Sequence, residues 1–167
     1  MYEHILSVLK SMSLVIERSP DSFAGLDEEA IRMHCLIQLN GHYEGLATGE
    51  TFNSLGRTDI LIRVDDRNVF IAECKFWRGP KVFSDTVDQL LGYVTWRDTK
   101  CALVIFNKQR ESSAVRRKMH EIMEGRVEHR TTRAHDPNGD SRYTFVKPSD
   151  RGQEIQIATM LFDVPQK

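Results

Sequence analysis

Three side chains in one short stretch are spaced for chemistry. Asp59 lies near the start of T-D-I-L-I-R-V, residues 58–64, and Glu73 and Lys75 lie two apart in V-F-I-A-E-C-K-F, residues 69–76. Both runs have the composition of β-strands, and Asp65-Asp66-Arg67-Asn68 between them has that of a hairpin turn. Side chains alternate across a strand, so Glu73 and Lys75 point one way and Cys74 the other. The hairpin brings Asp59 beside Glu73, and two carboxylates and an ammonium converge on one patch.

Two carboxylates a few ångström apart repel, and one keeps its proton unless a cation lies between them. Mg²⁺ suits the position because it takes oxygen ligands and retains several waters. The backbone carbonyl of Cys74 offers one more oxygen. A metal held there can activate a water and neutralise charge on a phosphoryl oxygen. Lys75 can orient or deprotonate that water, or stabilise the negative charge of the transition state. The bland alternative is a surface salt bridge on a hairpin. The neighbours argue against it: Val69-Phe70-Ile71-Ala72 precede the pair and Phe76-Trp77 follow it. Charges inside such an apolar strand are costly and need a reason.

The elements that must position these groups follow from periodicity. Residues 4–17 carry Ile5, Leu9, Met12 and Ile16 at helical spacing. Ser19-Pro20 opens a short helical piece that Gly25 ends. Asp27 caps a further helix that runs to about Leu39 and stops at Asn40-Gly41. A weak strand over 43–51 precedes the hairpin, and a helix over 82–96 follows it. Residues 101–106, C-A-L-V-I-F, form a fully apolar central strand. A polar helix spans 111–124, and strands are expected over 127–132, 142–147 and 155–164, with a turn at 136–140. The whole is one α/β domain: an N-terminal amphipathic segment, 1–25, and a core, 26–167, with a central mixed sheet flanked by helices.

Asp59 followed by Glu73-Cys74-Lys75 on the next strand resembles the PD-(D/E)XK nuclease superfamily, the restriction-endonuclease-like fold. The likeness covers residues 27–106, about half the chain, where the order helix, strand, hairpin, helix, strand matches that family's core. Thr58 stands where the motif has proline. The resemblance implies a Mg²⁺-dependent phosphodiesterase acting on DNA, with Mn²⁺ as a substitute metal and little sequence specificity. It implies metal ligation by Asp59, Glu73 and the Cys74 carbonyl, with Lys75 assisting the nucleophile. Gln89 and Tyr93, four apart on one helix face with Thr86 and Arg97, are similar to the QxxxY element of RecB-like nucleases. The alternative for that pair is a solvated helix face. The superfamily often adds a glutamate from the helix that Asp27 opens. Glu28 shares a face with Ile31, Cys35 and Leu39 and points to the core, whereas Glu29 aligns with Arg32 and Met33. Either could serve, and acidic residues in a first turn are also favoured by the helix dipole alone.

Charge and composition set the remaining bounds. The chain has 167 residues, 40% hydrophobic and 28% charged, which is a soluble, globular composition. No apolar run approaches the roughly 20 residues that span a bilayer, so no membrane partner is expected. Three cysteines (Cys35, Cys74, Cys101) without metal spacing fit a reducing cytoplasm. The six histidines form no zinc pattern. The net charge of −1 excludes binding of nucleic acid by bulk charge. It is uneven, with −4 over residues 1–107 and +4 over 108–151. Arg116, Arg117 and Lys118 head the basic part, either as phosphate contacts with Arg97 or as a solvated helix face. A homodimer, or membership of a larger protein such as a bacterial defence effector, would supply the recognition that one small domain leaves out. The competing function is a catalytically inactive module of the same fold, serving nucleic-acid binding or assembly.

Overall fold

The computed structural model describes residues 1–44, 47–53, 56–64, 67–94, 100–109, 111–164 and 166. α1 (Tyr2–Arg18) buries Ile5, Leu9, Met12 and Ile16 and yields at Ser19 to α2 (Pro20–Phe23). Pro20 at the first helical position starts α2 without a side-chain cap from Ser19. α3 (Glu28–Tyr43) opens on Asp27, whose carboxylate accepts the Ala30 amide at 2.8 Å. It runs through Asn40-Gly41 and ends at Glu44, in the left-handed region at φ 49°. Gly41 costs a helix only about 1 kcal/mol. The last turn is held by Tyr43, which packs on the core and meets His4 Nδ1 through its hydroxyl at 2.6 Å.

The chain then builds β1 (Ala47–Asn53), β2 (Gly56–Val64), β3 (Arg67–Phe76), α4 (Pro80–Tyr93), β4 (Lys100–Asn107), α5 (Ser112–Glu124), β5 (His129–His135), β6 (Ser141–Lys147) and β7 (Asp150–Asp163). Several boundaries move from expectation. Arg67 and Asn68 belong to β3 and pair with Val64 and Arg63, so they are not turn residues. α4 begins two residues early because Pro80 fits its first turn, and Val94 after it is extended. Trp96 lies outside the described residues. β5 starts at His129 because the chain turns through Arg126, whose carbonyl takes the His129 amide, leaving Val127 in solvent. β7 begins at Asp150, since the β6–β7 hairpin closes at Lys147 and Asp150.

Among the described residues seven strands form one mixed sheet in the order β1-β2-β3-β4-β7-β6-β5. β3, β4 and β7 run parallel in the middle, and the outer pairs are antiparallel. β4 is buried along nearly its whole length, as its apolar run requires. Alternation on β3 sorts the two faces. Phe70, Ala72, Cys74 and Phe76 join α1 and α3 in one core, while Ile71 joins α4 and α5 in the other. α1 therefore completes the core. On α5 the buried stripe is Val115, Met119 and Met123.

α5 meets the edge strand β5 through imidazoles. His120 and His135 stack at 3.6 Å, His120 Nδ1 meets the Tyr143 hydroxyl at 2.7 Å, and His120 Nε2 lies 3.1 Å from Glu124. Burial lowers the pKa of His120, His135 and His129 add to that, and Glu124 and Glu121 oppose it. A depressed histidine binds fewer protons folded than unfolded, so stability is full above the unfolded value, about 6.5, and falls as pH drops through it. Thermal melts between pH 5 and 8 should show this loss, and His120→Gln should flatten it.

Candidate active site

The paired ladder between β2 and β3 reaches Ile60 and Ala72, and from there towards the end of β3 the two strands no longer share it. β3 stays with β4 through Phe106, while β2 stays with β1 through Gly56. The opening would orphan the β3 amides that face β2. Carboxylates take them instead. Asp59 Oδ2 accepts the Cys74 amide at 2.9 Å, and Glu28 Oε2, from the first turn of α3, accepts the Phe76 amide at 2.9 Å. The other oxygen of each carboxylate meets a cation. Arg32 Nη1 lies 3.1 Å from Asp59 Oδ1, and Lys75 Nζ lies 3.7 Å from Glu28 Oε1.

Glu73 sits behind this pair of bridges, 4% exposed, on the β3 face that Lys75 shares. Its Oε1 is buried without a hydrogen-bond partner. Burial pushes its carboxyl up to about 9, and the charge of Asp59 and a hydrogen bond with that side chain add to the rise. The Asp59 amide and Lys75 act the other way. At neutral pH Glu73 therefore holds a proton. A cleft of about 650 Å³ is lined by its neighbours Asp59 and Lys75 and by Glu28, Glu29, Arg32, Arg78 and Lys108, while Glu73 itself is not part of the lining. Asp27, Cys74, Phe76 and Trp77 complete the wall.

The geometry brings together Asp59, Glu73, Lys75 and Glu28. Glu29 lines the same cleft but is largely solvated and lies 3.8 Å from Arg32. Cys74 turns its buried thiol into the opposite core, as alternation requires, and burial raises that thiol. Its amide, and with it its carbonyl, faces the opening. Gln89 is exposed, Tyr93 is half-buried, and neither lines the cleft. The buried residues of α4 are Phe83, Thr86, Val87 and Leu90, which leaves Gln89 on the outer side. Thr86 is buried and donates to the Val82 carbonyl, so it does not extend a polar face with Gln89. Arg97 lies outside the described residues. Arg116 lines a separate small pocket with His135 and Asp136, Arg117 is exposed, and Lys118 pairs with Glu121 at 3.2 Å. Arg126 and Arg130 are also engaged, with Asp88 and Glu128 and with Glu154 respectively. The cations of the cleft are instead Arg32, Lys75, Arg78 and Lys108.

Arg32 is the residue that sequence reasoning misplaced. Helix periodicity aligns it with Glu29 and Met33, yet it is only 7% exposed whereas Met33 is 48% exposed. The available signal was its spacing of four from Glu28, which puts both over the same turn.

The donor set suits a hard divalent cation. Asp59 and Glu73 lie side by side, the Cys74 carbonyl faces the same opening, and a Glu73 that holds its proton is what a carboxyl pair becomes when no cation separates it. Among the described residues no group of three or more His, Cys, Asp or Glu side chains is arranged to hold a metal. Further ligands would come from backbone, water or substrate phosphate, the usual pattern for Mg²⁺. No family model, curated protein or solved structure matches the chain.

Two outcomes follow from the geometry. A carboxyl raised above its unfolded value binds more protons folded than unfolded. Glu73 thus stabilises the fold fully below about pH 4.5, and that contribution is lost as pH rises towards 9. Glu73→Gln should be more stable than wild type at pH 8 and no more stable at pH 4, read by denaturant melts without metal. Glu28→Ala strips the Phe76 amide of its acceptor and should cost about 1–3 kcal/mol. Glu28→Gln, which keeps an acceptor, should cost less in the same melts.

Proposed function

We propose that the chain is a metal-dependent nuclease of restriction-endonuclease-like architecture, hydrolysing phosphodiester bonds in DNA. The observation that carries the reading is the buried Glu73 carboxyl with an unpaired oxygen beside Asp59, with Lys75 on the same strand face, next to a charge-lined cleft that Asp59 and Lys75 help to form. The order α3, β1, β2, β3, α4, β4 supports it, as does the parallel pairing of β3 with β4.

Asp59 and Glu73 would hold Mg²⁺ or Mn²⁺, with the Cys74 carbonyl as a further oxygen. The bound metal would supply Lewis acidity towards a phosphoryl oxygen and a more acidic water. Glu73 gives up its proton to enter that state. Lys75 directs the nucleophilic water and places positive charge where the phosphorane-like charge develops. Glu28 positions Lys75 by pairing with its ammonium, and it fixes the β3 backbone through Phe76. Arg78 and Lys108, which line the cleft, contact the phosphate backbone, which gives affinity without reading bases.

One observation favours the second reading, a non-catalytic module: Asp59 and Glu28 already carry internal partners. A single assay separates the two. Purified protein should nick or degrade plasmid, linear or single-stranded DNA with Mg²⁺ or Mn²⁺ and be inert in EDTA. Asp59→Asn, Glu73→Gln and Lys75→Ala should each lower the rate by at least about 100-fold. Cleavage that survives EDTA or all three changes would overturn the nuclease reading. No cleavage together with no Mn²⁺-dependent thermal shift would establish the module.

A further inference from the structure

The buried ion pair of Arg32 with Asp59 places two demands on one carboxylate. Arg32 projects from α3 with its Nη1 3.1 Å from Asp59 Oδ1, and Asp59 Oδ2 is taken by the Cys74 amide. Both oxygens of the proposed metal ligand therefore have internal partners, and one of those partners is a full cation. Arg32 also lies 3.8 Å from Glu29, whose side chain is 75% exposed.

A divalent cation on Asp59 would meet a guanidinium at ion-pair distance. Arginine does not shed its proton in proteins, so the conflict is relieved only by movement. There is room for it. Arg32 lines the cleft of about 650 Å³, as does Lys75. The planar guanidinium fork matches a phosphate in bidentate fashion. The charges at the mouth cancel in pairs, Arg32 with Asp59 and Lys75 with Glu28. A doubly charged ion arriving alone leaves an excess of positive charge, and a phosphodiester removes it.

We infer that Arg32 is a resident counter-ion of Asp59, that a divalent cation binds there only as Arg32 leaves, and that Arg32 then pairs with the phosphodiester of the bound nucleic acid. Cation and nucleic acid thus bind with positive coupling. This rests on the metal-dependent reading above. The opposite role, a strut that holds Asp59 in place for the metal, makes the opposite prediction.

The experiment is calorimetric titration of Mn²⁺ into wild type, Arg32→Gln and Arg32→Lys. Each is titrated without and with an uncleavable dinucleotide in which methylene replaces the bridging 3′ oxygen and the phosphonate keeps its charge. Without the dinucleotide, Arg32→Gln should bind Mn²⁺ at least about tenfold more tightly than wild type. Its metal-free Tm should fall, because Asp59 loses its partner. With the dinucleotide, wild type should gain about tenfold in Mn²⁺ affinity and Arg32→Gln distinctly less. Arg32→Lys, which keeps a charge on a more mobile stem, should bind Mn²⁺ more tightly than wild type by a smaller factor, and it decides the matter if Arg32→Gln does not fold. Equal or weaker Mn²⁺ binding by the variants overturns the counter-ion role. A wild-type affinity unmoved by the dinucleotide overturns the transfer to phosphate. Failure of all three proteins to bind Mn²⁺ under either condition overturns the metal reading itself.

Discussion

The structure turns on how β3 satisfies two amides after β2 leaves it. A backbone N–H left inside a protein without a partner costs about as much as a lost hydrogen bond, so a splayed strand pair must be repaired. Here the repair comes from the Asp59 and Glu28 carboxylates, on Cys74 and Phe76. Because the repairing groups are anions, each draws in a cation, Arg32 and Lys75. The same defect that opens the sheet therefore stocks the opening with charge. α3 is held against the sheet end by its first turn, and the cleft is the space that the diverging strands leave.

Glu73 is held differently. It sits one residue before the first repaired amide, on the β3 face that Lys75 shares, and is almost fully buried. A neutral carboxyl is the lowest-energy form of such a group beside another carboxylate. Burial that costs stability at neutral pH with nothing in return is hard to explain as scaffold design. Strain of this kind concentrates at sites that bind or react. The site is in this sense incomplete: its ionic pairs are balanced, and its deepest carboxyl is not.

Much of this was legible in the sequence, because alternation and apolar runs are short-range signals. The β2–β3 hairpin, the burial of Cys74 away from Glu73 and Lys75, the cap at Asp27 and the central position of β4 all follow from neighbours in the chain. What was not legible depends on partners distant in sequence. α3 outruns Gly41 because Tyr43 finds His4 and the core. Arg32 turns inward because Asp59, 27 residues on, supplies its counter-charge. Its side chain also has an apolar stem that helix periodicity reads as surface. The basic residues of α5 were read from net charge alone, and charge counts do not reveal that Lys118 and Glu121, or Arg130 and Glu154, cancel locally.

The strand order has a consequence in time. β4 lies beside β3, but its other neighbour is β7, and the chain must pass through α5, β5 and β6 before β7 exists. α1 also packs on β7, so the first helix and the last strand close the same core. Until β7 is made, the edge of β4 that faces away from β3 has no strand to pair with. Contacts of such long sequence separation form late and slowly. The cleft between β2 and β3 is encoded within the first 108 residues, yet the sheet that holds it rigid is finished only by the last strand, so an incomplete chain carries the site's residues without a fixed site.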